Sequence, residues 1–340
     1  MPLTLSPAGI SKLLDRSLRL AGQPFSATHN NLAGPHGRIG VVHHGLMLPD
    51  LPEPIRYLDF ITILGQPQIP MFRNQSAFDG SGKDIATVLI SSALPAGHQL
   101  HTLNMHRDCD FRADGSLMRF GDILTIEGSY PRYRICANTQ SLSFDLALVA
   151  EPQYSHFMQL PFGTMNHWSL HCRYQGSLRY GNQQWQLKGH CSLECARAIN
   201  ARLPLSFFTY QIINLDARSQ LLLAEVRDGF GGVLQRRLYI RTLGEISEVF
   251  DSGVSFTVQE TQPITRTPNN IAMALPRRFE WQLNNRQGDV LLHLQCTSND
   301  DYRFGLAAGY VGSFQYQGEL RGKSFAGHAG YIEYVDYQKK

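Results

Sequence analysis

At 340 residues the chain exceeds the usual single-domain size, so two domains are expected. Its 31 basic and 28 acidic residues leave a net charge of +3 without any Lys/Arg run, which argues against a surface that tracks a phosphate backbone, and nucleic acid is not an expected partner. With 43% hydrophobic and only 17% charged residues, the composition excludes a disordered chain and suits two cores of ordinary size.

The first segment, MPLTLSPAGISKLLDRSLRLAG, reads as a helix. Ser6 caps it, Pro7 suits its first position, and Ile10, Leu13, Leu14 and Leu18 form a stripe expected to dock on the body of the protein. Lys12, Asp15, Arg16 and Arg19 interrupt the apolar run that a signal peptide needs, and no stretch approaches the ~20 apolar residues of a membrane helix. A cytoplasmic setting is therefore expected. Residues 30–54, rich in Gly, Pro, His and Asn, read as an irregular, anchored loop.

From Ile55 the pattern turns to short apolar or alternating runs broken by turn residues every ten or so positions: IRYLDFITIL (55–64), DIATVLISSAL (84–94), DILTIEG (122–128), SLSFDLALVA (141–150) and FFTYQIINLD (207–216). Residues 221–241 read as a hairpin turning at Asp228–Gly232, and residues 279–296 as another turning near Asn285–Gly288. ECARAINARL (194–203), stopped by Pro204, is the other predicted helix. Many evenly spaced strands with glycine-rich turns predict an all-β protein of barrels or sandwiches. The six cysteines, Cys109, Cys136, Cys172, Cys191, Cys195 and Cys296, make no CxxC pair and predict no disulfide framework.

A repeat organises the chain. RYQGSLRY (173–180) returns as QYQGELRG (315–322), and Gly189-His190 returns as Gly327-His328, each followed shortly by a glutamate, Glu194 or Glu333. Each block reads as a strand, a tight turn and a returning strand, with a loop four residues longer in the first copy. The expected division is a helix and linker over 1–30, a first barrel over 31–203 and a second over 204–340.

These blocks, HWSLHCRYQGSLRYGNQQWQLKGHCSLEC (167–195) and GYVGSFQYQGELRGKSFAGHAGYIEY (309–334), resemble the mid-chain and closing motifs of a lipocalin-like superfamily. It includes the carotenoid hydratases (hydroxyneurosporene synthases), the AttH-like proteins, a yeast survival factor and certain fungal Diels–Alderases. The first block departs from the hydratases, which follow the glycine with an acidic, tryptophan-rich stretch where this chain has His190-Cys191-Ser192-Leu193-Glu194. The resemblance implies two tandem lipocalin-like β-barrels and a hydrophobic small-molecule partner such as an isoprenoid, steroid, polyketide or acyl chain. Its members range from acid-catalysed hydration to roles without catalysis, so both an enzyme and a non-catalytic binder stay open.

Among residues that carry chemistry, His190 and Glu194 are four apart and share a face in a strand or a helix, where a carboxylate beside an imidazole can exchange a proton. They are the predicted catalytic pair. His167 and His171 share a face in the same way and, with His190, have ligand types that suit zinc; no HExxH or Cys/His spacing accompanies them, so neither metal nor cofactor is assigned. His43 and His44 are adjacent, so in a strand only one of them can face a pocket. His167, Trp168, His171, Tyr174, Trp185, Tyr310, Phe314, Tyr331 and Glu333 are the predicted lining of an apolar cavity in the first barrel or between the barrels, the alternative for the aromatics being plain core.

Overall fold

The computed structural model describes residues 14–26, 31–78 and 83–338, with Gln153 described in its backbone alone. Most of the predicted N-terminal helix, including Ser6, Pro7, Ile10 and Leu13, lies outside the described residues. Within them the segment forms a 3-10 turn at Ser17–Leu20, and Leu14 and Leu18 are exposed rather than docked.

Eleven strands make the first sheet: β1 (Val41–Leu48), β2 (Leu58–Leu64), β3 (Ile85–Ser92), β4 (Gln99–Asn104), β5 (Cys109–Phe111), β6 (Leu117–Phe120), β7 (Leu124–Ser129), β8 (Arg132–Asn138), β9 (Leu142–Gln159), β10 (Met165–Tyr180) and β11 (Gln183–Ala198). Its order is β4-β3-β2-β1-β11-β10-β9-β8-β7-β6-β5, a meander whose first and last strands pair and whose free edges, β4 and β5, are joined by one helical turn at Met105–Asp108. The second half comprises β12 (Leu205–Asn214), β13 (Ser219–Asp228), β14 (Val233–Thr242), β15 (Glu248–Phe250), β16 (Val254–Thr261), the small pair β17 (Thr265–Arg266) and β18 (Ala272–Met273), then β19 (Pro276–Asn284), β20 (Val290–Ser298), β21 (Arg303–Leu306), β22 (Gly309–Leu320) and β23 (Lys323–Asp336). The main sheet there runs β15-β14-β13-β12-β23-β22-β20-β19-β16, again pairing first strand with last. The all-β, two-barrel expectation holds, as do the two predicted hairpins, β13–β14 and β19–β20. All six cysteines are free thiols.

Two segments differ from their sequence reading. Val41–Leu48, read as loop, is a central strand: Val42, Leu46 and Leu48 enter the first core while β2 and β11 pair with it on either side. Its Gly45 and paired histidines hide an alternation that only tertiary burial reveals. Residues 194–198, read as helix, continue β11, where Cys191, Leu193 and Cys195 point into the first barrel. Pairing with β1 and β10 on both sides overrides the helical preference of Glu, Ala and Arg.

The repeat is structural. Tyr174 lies opposite Gly189 in the β10–β11 hairpin, and Tyr316 lies opposite Gly327 in β22–β23. The four additional residues of the first copy are two further strand rungs, since Tyr180 pairs Gln183 and Leu320 pairs Lys323 across turns of equal length. A register shift between Phe314 and Tyr316 gives the second copy a bulge near His328 and Ala329, and the side chain of His328 is left exposed. Each tyrosine ring covers the glycine across from it. A Cβ at Gly189 would meet Tyr174 at 3.2 Å, whereas one at Gly327 would meet Tyr316 at 2.3 Å. Gly327→Ala is therefore expected to cost about 1–3 kcal/mol and Gly189→Ala distinctly less, read from the two urea midpoints.

Candidate functional site

Strands β1, β2, β10 and β11 bury their inner face in the first barrel and their outer face against β12, β13, β14 and β23 of the second. Alternation then dictates which residues meet between the barrels. From the first come His43, Asp59, His167, Ser169, His171, His190, Ser192 and Glu194; from the second come Tyr210, Asn214, Gln220, Arg241, Tyr331 and Glu333. The result is a buried polar layer, and it sorts into three groups.

In the first group, the Tyr331 hydroxyl lies 2.7 Å from Asp59 Oδ2 and 3.0 Å from Glu333 Oε1. A phenol has one proton, so it can donate to only one carboxyl and must accept from the other, which is then protonated. Burial pushes the Asp59 carboxyl up to about 8. Burial, then repulsion from Glu194 and Asp59, pushes Glu333 well above the usual carboxylate range. Beside them the Tyr57 ring packs 5.7 Å from Tyr331, and its hydroxyl meets Ser91 Oγ at 3.0 Å.

The second group is a histidine pair. Asp216 presents a carbonyl, which can only accept, so His190 Nε2–H donates to it at 2.8 Å. That leaves His190 Nδ1 to accept from His171 Nε2–H, also at 2.8 Å. Burial, with Arg241 nearby, pushes His171 down to about 2, and burial lowers His190 as well, so both rings are neutral. Arg241 is itself buried and donates to Ser169 Oγ at 2.9 Å and to Ser192 Oγ and Gln220 Oε1.

The third group joins Glu194 to His43 and His167. Tyr210 donates to Glu194 Oε1, while Oε2 stands 3.5 Å from His167 Nε2. His43 and His167 both lie opposite Ala196, on either side of β11, and their rings are 6.2 Å apart. Burial, then His167, pushes His43 down to about 4. Of the adjacent histidines, His43 faces this layer and His44 the first core, as alternation requires.

The predicted catalytic pair thus shares one face of β11, but its members have different partners: His190 meets His171 and Asp216, Glu194 meets Tyr210 and His167. His167 and His171, which with His190 have ligand types that suit zinc, are likewise divided between two groups. Of the predicted lining, Tyr331 and Glu333 lie in the layer. Trp168 and Tyr174 fill the first core with Trp185 packed against it, and Tyr310 and Phe314 belong to the second. Two concavities of about 550 and 530 Å³ open at the surface; the first lies at the seam, between Gly65, Arg73, Asn200, Asn269 and Tyr337, and neither is apolar. Sequence reasoning missed Asp59, Tyr210 and Arg241. The signal available for Asp59 and Arg241 was a single charge inside an apolar strand, LDFITIL and LYIRT.

Comparison with known proteins bears on the fold. A model described as a family of unknown function, DUF6670, matches residues 61–340. No curated protein matches the chain by sequence. An AttH-type protein from Nitrosomonas europaea superposes with a TM-score of 0.62 at 16% identity, over 90% of this chain and 95% of its own. Kievitone hydratase from Nectria haematococca gives 0.57 at 12%, over 94% and 95%, and CghA with Sch210972 gives 0.53 at 8%, over 94% and 96%. These structures share the two-barrel fold that the resemblance led one to expect. No helix among the described residues is long and apolar enough to cross a membrane.

Asp59 supplies a pH signature. Below pH 3.8 its carboxyl is protonated whether the chain is folded or not. Between that value and about 8 the unfolded chain releases the proton while the folded one keeps it, so folding stability falls as pH rises. This single group should remove up to about 1.4 kcal/mol per pH unit across that window. Asp59→Asn is expected to flatten the slope of stability against pH between 5 and 8 in urea titrations.

Proposed function

The chain belongs to the DUF6670 family, and for it we propose that the layer between the barrels receives a hydrophobic small molecule and delivers a proton to it. The supporting observation is the Asp59–Tyr331–Glu333 group, a buried acid still protonated at neutral pH. Adding a proton to an alkene or carbonyl leaves positive charge on the substrate, and a nearby carboxylate lowers the barrier to forming it. Glu194, fixed by Tyr210 and near enough to perturb Glu333, has that role. His190 is a positioning residue: its Nδ1 accepts from His171 and fixes the tautomer and orientation of that ring. Acid-assisted hydration, cyclisation and isomerisation begin in this way, and a hydratase among the structural neighbours is consistent with it by analogy of fold.

A second reading is binding without turnover, in which the buried acid group serves the packing of the layer and transfers no proton. One sequence of measurements separates the two. Mass spectrometry of apolar compounds extracted from the native protein identifies a ligand, which is then incubated with enzyme. Catalysis predicts conversion, with Asp59→Asn and Glu333→Gln each lowering kcat by about 10²-fold or more while the ligand still binds. Full turnover in both folded variants would remove the acid from the mechanism. Full turnover in Glu194→Gln and His190→Ala would remove the other two residues.

A further inference from the structure

We propose that His43, His167 and Glu194 form a binding site for one divalent first-row transition-metal ion, with at least one coordination position open. The side chains come from three adjacent strands, β1, β10 and β11, and their ligating atoms all lie within 4.8 Å of one another. Small side-chain closure brings three such atoms to the 2.0–2.2 Å radius typical of imidazole and carboxylate ligands to zinc. Two histidines and one carboxylate also make the facial set used by several divalent metals. The arrangement needs no assumption about the small molecule.

What surrounds the three side chains prepares them for this role. His43 Nδ1 donates to the Thr62 carbonyl at 3.0 Å, which fixes the tautomer whose Nε2 lone pair faces the group. A backbone carbonyl behind a ligating histidine is the usual outer-sphere support of a metal site. Tyr210 occupies Glu194 Oε1 and so turns Oε2 toward the histidines. The His167 ring stands edge-on to Phe157 with centroids 4.7 Å apart, while its Nε2, although buried, has no hydrogen-bond partner. A metal ion would satisfy that atom. Space is provided by small residues on the same strands. Ala196 sits between the two histidines, and Gly45 lies opposite Glu194, where a Cβ would stand 3.1 Å from His43 Nε2.

The test is calorimetric titration of chelator-treated full-length protein with Zn²⁺ alone. One Zn²⁺ per chain is expected, with binding lost in His43→Ala and in Glu194→Gln and retained in His106→Ala, whose exposed histidine is outside the group. Tyr210→Phe should weaken affinity about tenfold by releasing the carboxylate. His167→Gln, at a partly exposed position, is the variant least exposed to a folding defect, and circular dichroism checks it. Absence of Zn²⁺ binding to the parent protein overturns the proposal, and so does undiminished binding by folded His167→Gln.

Discussion

Burial of both faces of β11 over residues 190–195 is the constraint from which the rest follows. A strand in a closed barrel normally turns one face to the core and the other to water. Here part of the outward face of β11, with its neighbours β1, β2 and β10, is covered by the second barrel, so polar side chains there lose water and several find a partner across the seam. Ser192 finds Gln220 and Arg241, His190 finds Asp216, and Glu194 finds Tyr210. Arg237 adds a clasp at one end, donating to Asp15 and to the Phe157 carbonyl. These directional bonds add to the apolar packing of Met47, Ile61, Ile63 and Phe157 against the second core, and fix the relative placement of the barrels more narrowly than apolar contact alone would.

The same burial sets the ionisation of the layer. Arg241 is a cation bonded only to neutral oxygens, while Asp59 and Glu333 hold their protons to avoid adding uncompensated negative charge. Protonated acids at neutral pH are thus a by-product of docking one barrel on another. Had either residue faced solvent, its chemistry would be that of an ordinary surface carboxylate.

Local patterning revealed the β class, the hairpins and the repeat because each is a short-range property. Tyr174 and Gly189 are near in sequence, and their counterparts Tyr316 and Gly327 preserve the same contact. The layer could not be read in this way, since Asp59 meets Tyr331 and Glu194 meets Tyr210 through barrel closure followed by docking. Spacing placed His190 and Glu194 on one face, and that face is real. It could not say that β10 would supply His171 to one of them and His167 to the other. The helix expected over 194–203 shows the same limit: intrinsic preference was outweighed by two strand partners, one of them 150 residues earlier in the chain.

The closing pair of the first barrel, β1 with β11, joins residues from opposite ends of that half, so it cannot zip until nearly all of the half has left the ribosome. The second barrel does not yet exist at that moment. Its future partner surface carries Ser169, His171, His190, Ser192 and Glu194, all of which water can solvate. Met47, Ile61 and Ile63 on the same face pack into the second core and are the apolar part left uncovered until then, so the polar positions limit how far the half-finished chain sticks to its neighbours on a polysome before β12 emerges.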